Sequence, residues 1–491
     1  MIGPATAPGA EGAPGTGEAA GEAWTAPLRS TFAFLAAPAA VAFAVLVLGI
    51  PLSGWVLYGV AGVVGLVLLG RMFRDPEWLL AVFVLYVPVM KLFVVPVAPG
   101  VNGTNALLGL LLLAWWGPAL LGTRPFFNGM TPARLVGAWC AVSLLSVLTA
   151  AFTFGPAFVL DAIDDVKRWL EGFLIFFAFL HLLRDGAMAR RVVVYMMLGS
   201  LVALGLGGQE WLDKRLMDTI EKARLLGPQL QPNDFGAFLV YGAAPFLGVF
   251  LTQLPRIRAW LAVPYFLLLA RILLATFSRG AFIGMAAAGV AAAWVRGRLF
   301  LVAMAILAAG LLAWMPELVP ESLQARMGST ATMEGGEELD ASSQTRLVLW
   351  KAAVAMTLES PVLGKGFKAF PLLKANYTEV DVHESDNHNM FLYVASQMGI
   401  PALLVFLGLL WRTYRLGTAV HRAGGDPFRR AIGMGGAALA VGVVGVNLFG
   451  SRMTDIAVDA YFWIYLAVLA HLWREIAPPP PDAPPPLAPG A

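Results

Sequence analysis

Runs of about 20 apolar residues follow one another from residue 32 to residue 473, and this succession leaves the chain few ways to fold. A helix needs about that length to cross the hydrocarbon core of a bilayer. Within hydrocarbon every backbone N–H and C=O must find a partner inside the protein, and a helix supplies them segment by segment. Runs at 32–50, 54–70, 78–97, 105–122, 135–154, 169–183, 191–208, 235–252, 259–277, 280–295, 299–315, 388–411, 431–449 and 456–473 give about 14 spans. The expected fold is all-α, a polytopic membrane helix bundle of about 12–14 transmembrane helices with one large helix-containing loop. The composition agrees: 58% hydrophobic residues and 13% charged ones exceed what a soluble core of this length can hide.

The polar stretches divide the chain. Residues 1–30, rich in Gly, Ala and Pro, cannot bury enough surface to order themselves and are expected to be a disordered tail. A bundle of about 11 spans over 31–315 follows, then a polar loop over 316–387, the last spans over 388–475, and a proline-rich tail over 476–491. No basic segment precedes a small-residue cleavage site, so no cleaved signal peptide is expected. The single Cys140 lies in an apolar run and excludes a disulfide framework. A net charge of +3 is small, and no nucleic-acid partner is expected.

Arginine placement orients the spans, because Lys and Arg accumulate in short cytoplasmic loops. With the N-terminus inside, the inner loops hold Arg71 and Arg74, Arg124 and Arg134, Arg184, Arg190 and Arg191, Arg256 and Arg258, Arg296 and Arg298, and Arg412, Arg415, Arg422, Arg429 and Arg430. These loops read as poor in acid, whereas the others are short and uncharged or long and mixed in charge. Both termini are then cytoplasmic, and the 316–387 loop faces out, to the periplasm in a Gram-negative envelope.

Of the five histidines, His383 and His388 fall on the outer side, while His181, His421 and His471 fall at inner ends. His388 opens a span, where an imidazole can serve as general base or acid; an interfacial residue capping a helix is the competing reading. Ser278-Arg279-Gly280 forms a whole outer turn, and the amides of the helix that follows add to the positive field of Arg279; snorkelling to headgroups is the alternative. A helix is read from Ser342 to about Ser360, with Leu347, Trp350, Val354 and Leu358 as an apolar stripe suited to the membrane or the bundle. Arg346 lies one turn before Trp350, and a plain Arg346–Trp350 contact is the simpler account of the pair. Gly364-Lys365-Gly366-Phe367-Lys368 is a basic, flexible turn able to approach a phosphate, without the spacing of a nucleotide loop. Lys222, Arg224 and Gln231-Pro232-Asn233-Asp234 precede another span, where ordinary helix capping is the favoured reading.

Arg224, Arg279, Arg346, Lys365, Lys368 and His388 thus gather on one face, as an anionic ligand at a membrane surface requires. A lipid-linked pyrophosphate fits. His383-Glu384-Ser385-Asp386-Asn387-His388 offers donors in no zinc spacing, so neither metal nor cofactor is expected.

The order of these features resembles the family of O-antigen ligases and O-antigen polymerases, bacterial envelope glycosyltransferases. The resemblance is carried by Pro232-Asn233, Ser278-Arg279-Gly280, Arg346 with Trp350, Pro361 through Phe367, and His388-Asn389 with Leu392, Gly399 and Ile400-Pro401, from about Leu225 to Leu410. It implies metal-independent, inverting transfer of a glycan from undecaprenyl pyrophosphate to an acceptor hydroxyl at the periplasmic side of the inner membrane. Arg279 and Arg346 would hold the pyrophosphate and His388 would activate or orient the acceptor. Arg224, Asn233, Ser278, Trp350, Lys365, Lys368, His383 and Asn389 are the candidate substrate-binding residues. Polymerase, with a second lipid-linked glycan as acceptor, is preferred over ligase to lipid A–core or transfer to protein. A flippase and a chain-length regulator are the neighbours the family brings. The chain departs from the family where an acidic residue often precedes the glycine: Gln397 stands there. A transporter of lipid-linked sugars is the reading from another class; it is disfavoured because charges sit at span ends apart from Arg271 and Lys91, and no internal repeat is seen.

Overall fold

The computed structural model describes residues 70–72, 75–92, 96–98, 101–122, 131–217, 219–254, 256–314, 341–380 and 382–477. The spans read at 32–50 and, but for Gly70, at 54–70 lie outside the described residues, as do the N-terminal tail, nearly all of the C-terminal one, and residues 315–340 of the large loop. The other twelve spans are all helical in whole or large part. In chain order the helices are α1 Pro76–Tyr86, α2 Gly103–Leu120, α3 Thr131–Phe154, α4 Pro156–Asp161, α5 Ile163–Leu182, α6 Gly186–Lys214, α7 Pro232–Gln253 and α8 Val263–Ala275. There follow α9 Arg279–Arg296, α10 Arg298–Trp314, α11 Ala341–Glu359, α12 Ala369–Leu373, α13 Met390–Arg422, α14 Pro427–Asn447 and α15 Ile456–Ile476. Seven of them are long and apolar enough to cross a membrane by length and hydropathy alone. A hairpin pairing Pro96–Ala98 with Val101–Asn102 is the sole sheet among the described residues. The protein is a multi-pass helical membrane protein.

Burial sorts the helices. Of the apolar window in each, 94% is buried in α15, 83% in α14 and 78% in α7, against 28% in α3 and 22% in α2. The first three form the interior, and α2 and α3 present their apolar sides outward, as helices facing lipid do. Glycine lets α14 approach its neighbours. A Cβ on Gly248 of α7 would stand 2.1 Å from the Ala431 carbonyl oxygen, and one on Gly417 of α13 would stand 2.4 Å from the Ala437 nitrogen. Between bilayer helices such small-residue contact replaces the hydrophobic drive that lipid removes.

Helix α13 is broken at Gly399 (φ 87°, ψ 170°), two residues before Pro401. Pro401 has no N–H, so the Gln397 carbonyl loses its helical donor. Gly366 N–H donates to it at 3.0 Å and the Ser146 hydroxyl at 2.8 Å. Lys365 N–H donates to the Ser396 carbonyl at 2.9 Å, and Ile400 N–H turns to the Pro361 carbonyl at 2.7 Å. The segment read as a flexible phosphate-approaching turn is therefore a rigid backbone patch over a helix break, which buried irregular backbone in a membrane requires. Its glycines are needed by close approach: a Cβ on Gly364 would lie 2.3 Å from the Gln397 carbonyl carbon.

Helix α11 matches the expected bounds; the face it packs on the protein carries Leu349, Ala352, Ala353 and Met356, and Leu347, Val354 and Leu358 of the expected stripe are exposed, as side chains turned to lipid are. The arginine-rich end of the bundle also carries acids: Glu77 binds Arg191 through both oxygens at 2.5 and 2.6 Å, and Asp75, Asp426 and Glu475 pair with Arg184, Arg190 and Arg429. Glu171 in α5 and Asp459 in the first turn of α15 are buried, each near the start of its expected span. Of the two exceptions foreseen, Arg271 lies over the Trp211 ring at 4.7 Å, and Lys91 reaches Asp455 at 2.6 Å at the opposite end of the bundle from the paired arginines.

Candidate active site at one end of the bundle

The N-termini of α7, α9, α13 and α15 and the C-termini of α6 and α14 lie at one end. Hydrogen bonds tie these ends together. Leu225 N–H donates to the Ala275 carbonyl at 3.1 Å, Asn389 Nδ2 donates to the Leu448 carbonyl at 3.1 Å, and Arg452 pairs with Asp234. Among the described residues, four that are not glycine have positive φ: Leu230, Phe277, Lys368 and His388. All four belong to this end, each within or beside an expected motif. Left-handed backbone at residues with a Cβ persists only where the surroundings over-determine it, and such strain concentrates at functional sites.

His388, at φ 54°, is held just outside the first turn of α13. Asn389 caps that helix, its side-chain oxygen accepting from Phe391 and Leu392 N–H at 3.0 and 3.1 Å. Asn387 is buried; its Oδ1 accepts from Asn389 N–H at 3.1 Å and its carbonyl from Trp350 Nε1 at 2.9 Å. Trp350 and Asn389 are thus the braces of the His388 loop. His388 Nδ1 lies 3.6 Å from an Asp386 oxygen, an electrostatic contact longer than a hydrogen bond. The other Asp386 oxygen accepts from the Ser451 hydroxyl at 2.8 Å. Burial holds the imidazole below its ordinary pKa of 6.5; the Asp386 carboxylate opposes this, and the guanidiniums of Arg346 and Arg452 reinforce it. At neutral pH the ring is uncharged and able to accept a proton.

The arginines divide into two sets. Arg279 is the first residue of α9, whose Gly280 fits against Phe449 so closely that a Cβ would stand 3.3 Å from the Phe449 Cβ. The Phe449 ring also meets Trp350, at 6.1 Å between centroids, one turn along α11 from Arg346. Arg279 and Arg346 therefore lie on helices that both abut the end of α14 at Phe449. Arg224 is a strut: Nε donates to the Thr276 carbonyl at 3.2 Å and Nη2 to Asn233 Oδ1 at 3.3 Å. Ser278 is buried at the N-cap of α9, with its N–H donating to Thr276 Oγ1 at 3.2 Å. Lys365 pairs with Glu359 at 2.6 Å and Lys368 with Asp165 at 3.1 Å, so these lysines are already matched by carboxylates. His383 is exposed on the loop.

Arg452 is the residue the sequence reading missed. It joins Asp234 through its guanidinium and takes Asn447 Oδ1 on its N–H at 2.8 Å; Lys91 meets the same Asp234 at 3.7 Å. It sits within electrostatic reach of His388 and borders a cleft of about 240 Å³ beside Asp386. The only signal in the sequence was a basic residue in an otherwise short turn, Gly450-Ser451-Arg452, after Phe449.

A bundle whose helix ends bring a neutral imidazole together with guanidiniums defines a membrane protein equipped to handle an anion and move a proton. Residues 264–407 match the family model described as O-antigen ligase. The matched stretch includes Ser278, Arg279, Arg346, Lys365, Lys368 and His388 and leaves out Arg224, Asn233 and Arg452. No curated protein matches the chain.

Proposed function

We propose that this protein transfers a glycan from polyprenyl pyrophosphate to an acceptor hydroxyl at the outer face of the bacterial inner membrane, as a polysaccharide polymerase. The observation that carries this reading is the uncharged His388, held in left-handed backbone beside Asp386 and within electrostatic reach of Arg346. With Nδ1 turned to Asp386, Nε2 is left to take the acceptor proton. The acceptor oxygen attacks the anomeric carbon opposite the sugar–phosphate bond; that bond breaks with its electron pair passing to the pyrophosphate, and one displacement inverts the centre. Pyrophosphate is a good leaving group, so no metal is required. Arg279 and Arg346 meet the charge that develops on it, an effect worth about 3–4 kcal/mol per well-placed donor. General base catalysis by His388 contributes about 10²–10⁴-fold.

The test is the surface glycan of a deletion strain complemented with wild type or His388→Ala at equal protein level. Loss of long polymer, with single repeats still capping lipid A–core, is the expected result. Polymer accumulating on the lipid carrier would reassign the chain as a ligase, and transfer to a protein acceptor would show as an unmodified glycoprotein. Wild-type glycan from His388→Ala would remove the imidazole from the mechanism. A transporter of lipid-linked sugars is the reading from another class; it moves forward if the deletion strain accumulates lipid-linked repeats on the cytoplasmic leaflet, and glycans unchanged in the deletion strain would remove both readings.

A further inference from the structure

The cleft beside Asp386 is not accounted for by pyrophosphate chemistry. One part of its lining is aromatic: Trp169 stacks on Tyr393 at 5.7 Å and meets Phe367 edge-on at 5.9 Å, and all three border the space. Most of its charges are already paired. Lys368 faces Asp165 at 3.1 Å, Arg452 faces Asp234 and Lys91 faces Asp455 at 2.6 Å, with Arg168 and Asp386 the other charged groups of the lining. With three cations and four carboxylates in the lining and Lys91 on Asp455, the charges balance, and the cleft offers a diphosphate no net attraction. It offers a sugar ring what that ring needs. Carboxylates and the Ser385, Ser451 and Thr454 hydroxyls accept or donate to ring hydroxyls, and aromatic rings cover the C–H face. A volume of about 240 Å³ lies at the small end of ligand sites and suits one ring rather than a chain.

We propose that this cleft is the subsite for the acceptor's terminal sugar, an uncharged pyranose, and that it delivers the attacking hydroxyl to His388. The assignment rests on the glycosyl-transfer reading above. Asp386 joins the two places: it borders the cleft, holds Ser451 with one oxygen and faces His388 with the other. The sugar and the base are therefore set against the same carboxylate, while Arg279 and Arg346 serve the leaving group on the Phe449 side.

The test uses full-length protein in nanodiscs with a lipid-linked repeat as donor and aryl pyranosides as acceptors: glucoside, galactoside and rhamnoside against a glucuronide and a sugar phosphate. Ser385→Trp, at an exposed loop position, and Thr454→Trp should each raise the acceptor KM at least tenfold and leave the donor KM within twofold. Neutral glycosides should outperform charged ones at least tenfold in kcat/KM. An unchanged acceptor KM in both variants, or preference for the charged glycosides, would overturn the subsite while leaving the transferase reading intact. If wild type transfers nothing, the transferase reading fails. Saturation-transfer NMR of the same glycosides then decides the cleft by itself: binding lost in Ser385→Trp supports it, and equal binding in both proteins overturns it.

Discussion

His388 carries two costs, a backbone in the left-handed region and an imidazole moved out of water, and both have visible support. Asn387 and Asn389 hold the loop on either side, and Trp350 braces it from α11. Because burial and two guanidiniums depress its pKa, the base stays neutral well into mildly acidic solution, and activity should be lost only as pH falls through a midpoint below 6.5. Asp386→Asn removes the carboxylate that opposes this depression, so the midpoint should move to lower pH, with kcat reduced. Arg346→Gln removes a cation and should move it to higher pH. A pH series of initial rates in vesicles reads both, and midpoints that stay together would separate His388 from these neighbours. Arg346→Lys should lose about 10-fold or more in kcat, because an ammonium cannot reproduce the planar fork on a phosphate; full activity would leave Arg346 a structural residue. His388 and the arginines were legible in the sequence because charge in an apolar chain is rare. Asp386 and Arg452 were harder to see, since their roles depend on partners 65 and 218 residues distant.

At the scale of the element, the break in α13 shows how a motif can be correct in its residues and mistaken in its meaning. Gly364 and Gly366 read as parts of a flexible phosphate turn, and with Gly399 and Pro401 they form a sealed joint between a loop and a split helix. Gly399→Ala places a Cβ 2.1 Å from the Val362 carbonyl oxygen at a φ of 87°. It should cost at least about 1–3 kcal/mol from backbone strain alone and lower the Tm of the detergent-solubilised protein. Gly408→Ala, further along the same helix with open space around it, should leave the Tm unchanged or raise it. Equal melting of the two variants would mean that the joint is not rigid. In helix α11 periodicity found the helix and one apolar stripe, and the structure adds a second apolar face, Leu349, Ala352, Ala353 and Met356, packed on the protein.

At the scale of the whole molecule, the ends of the bundle divide the charge: His181, His421 and His471 lie with the paired arginines, and His388 lies with Arg279, Arg346 and Arg452. Cysteines introduced at Ser385 and Ala423 in a Cys140→Ser background should report opposite sides, with a membrane-impermeant maleimide reaching the first from outside the cell and not the second. The reverse labelling would place the proposed chemistry in the cytoplasm. By itself the sequence determined that the chain is a helical membrane bundle, where most of its long helices fall, and which of its rare ionisable groups merit attention, because hydropathy and helical length are local properties of the chain. Only the tertiary structure decided which helices are interior, which carboxylate faces which cation, and that a cleft opens beside the imidazole. Those outcomes depend on glycine-mediated approach and on pairs far apart in the chain, and no local pattern encodes them.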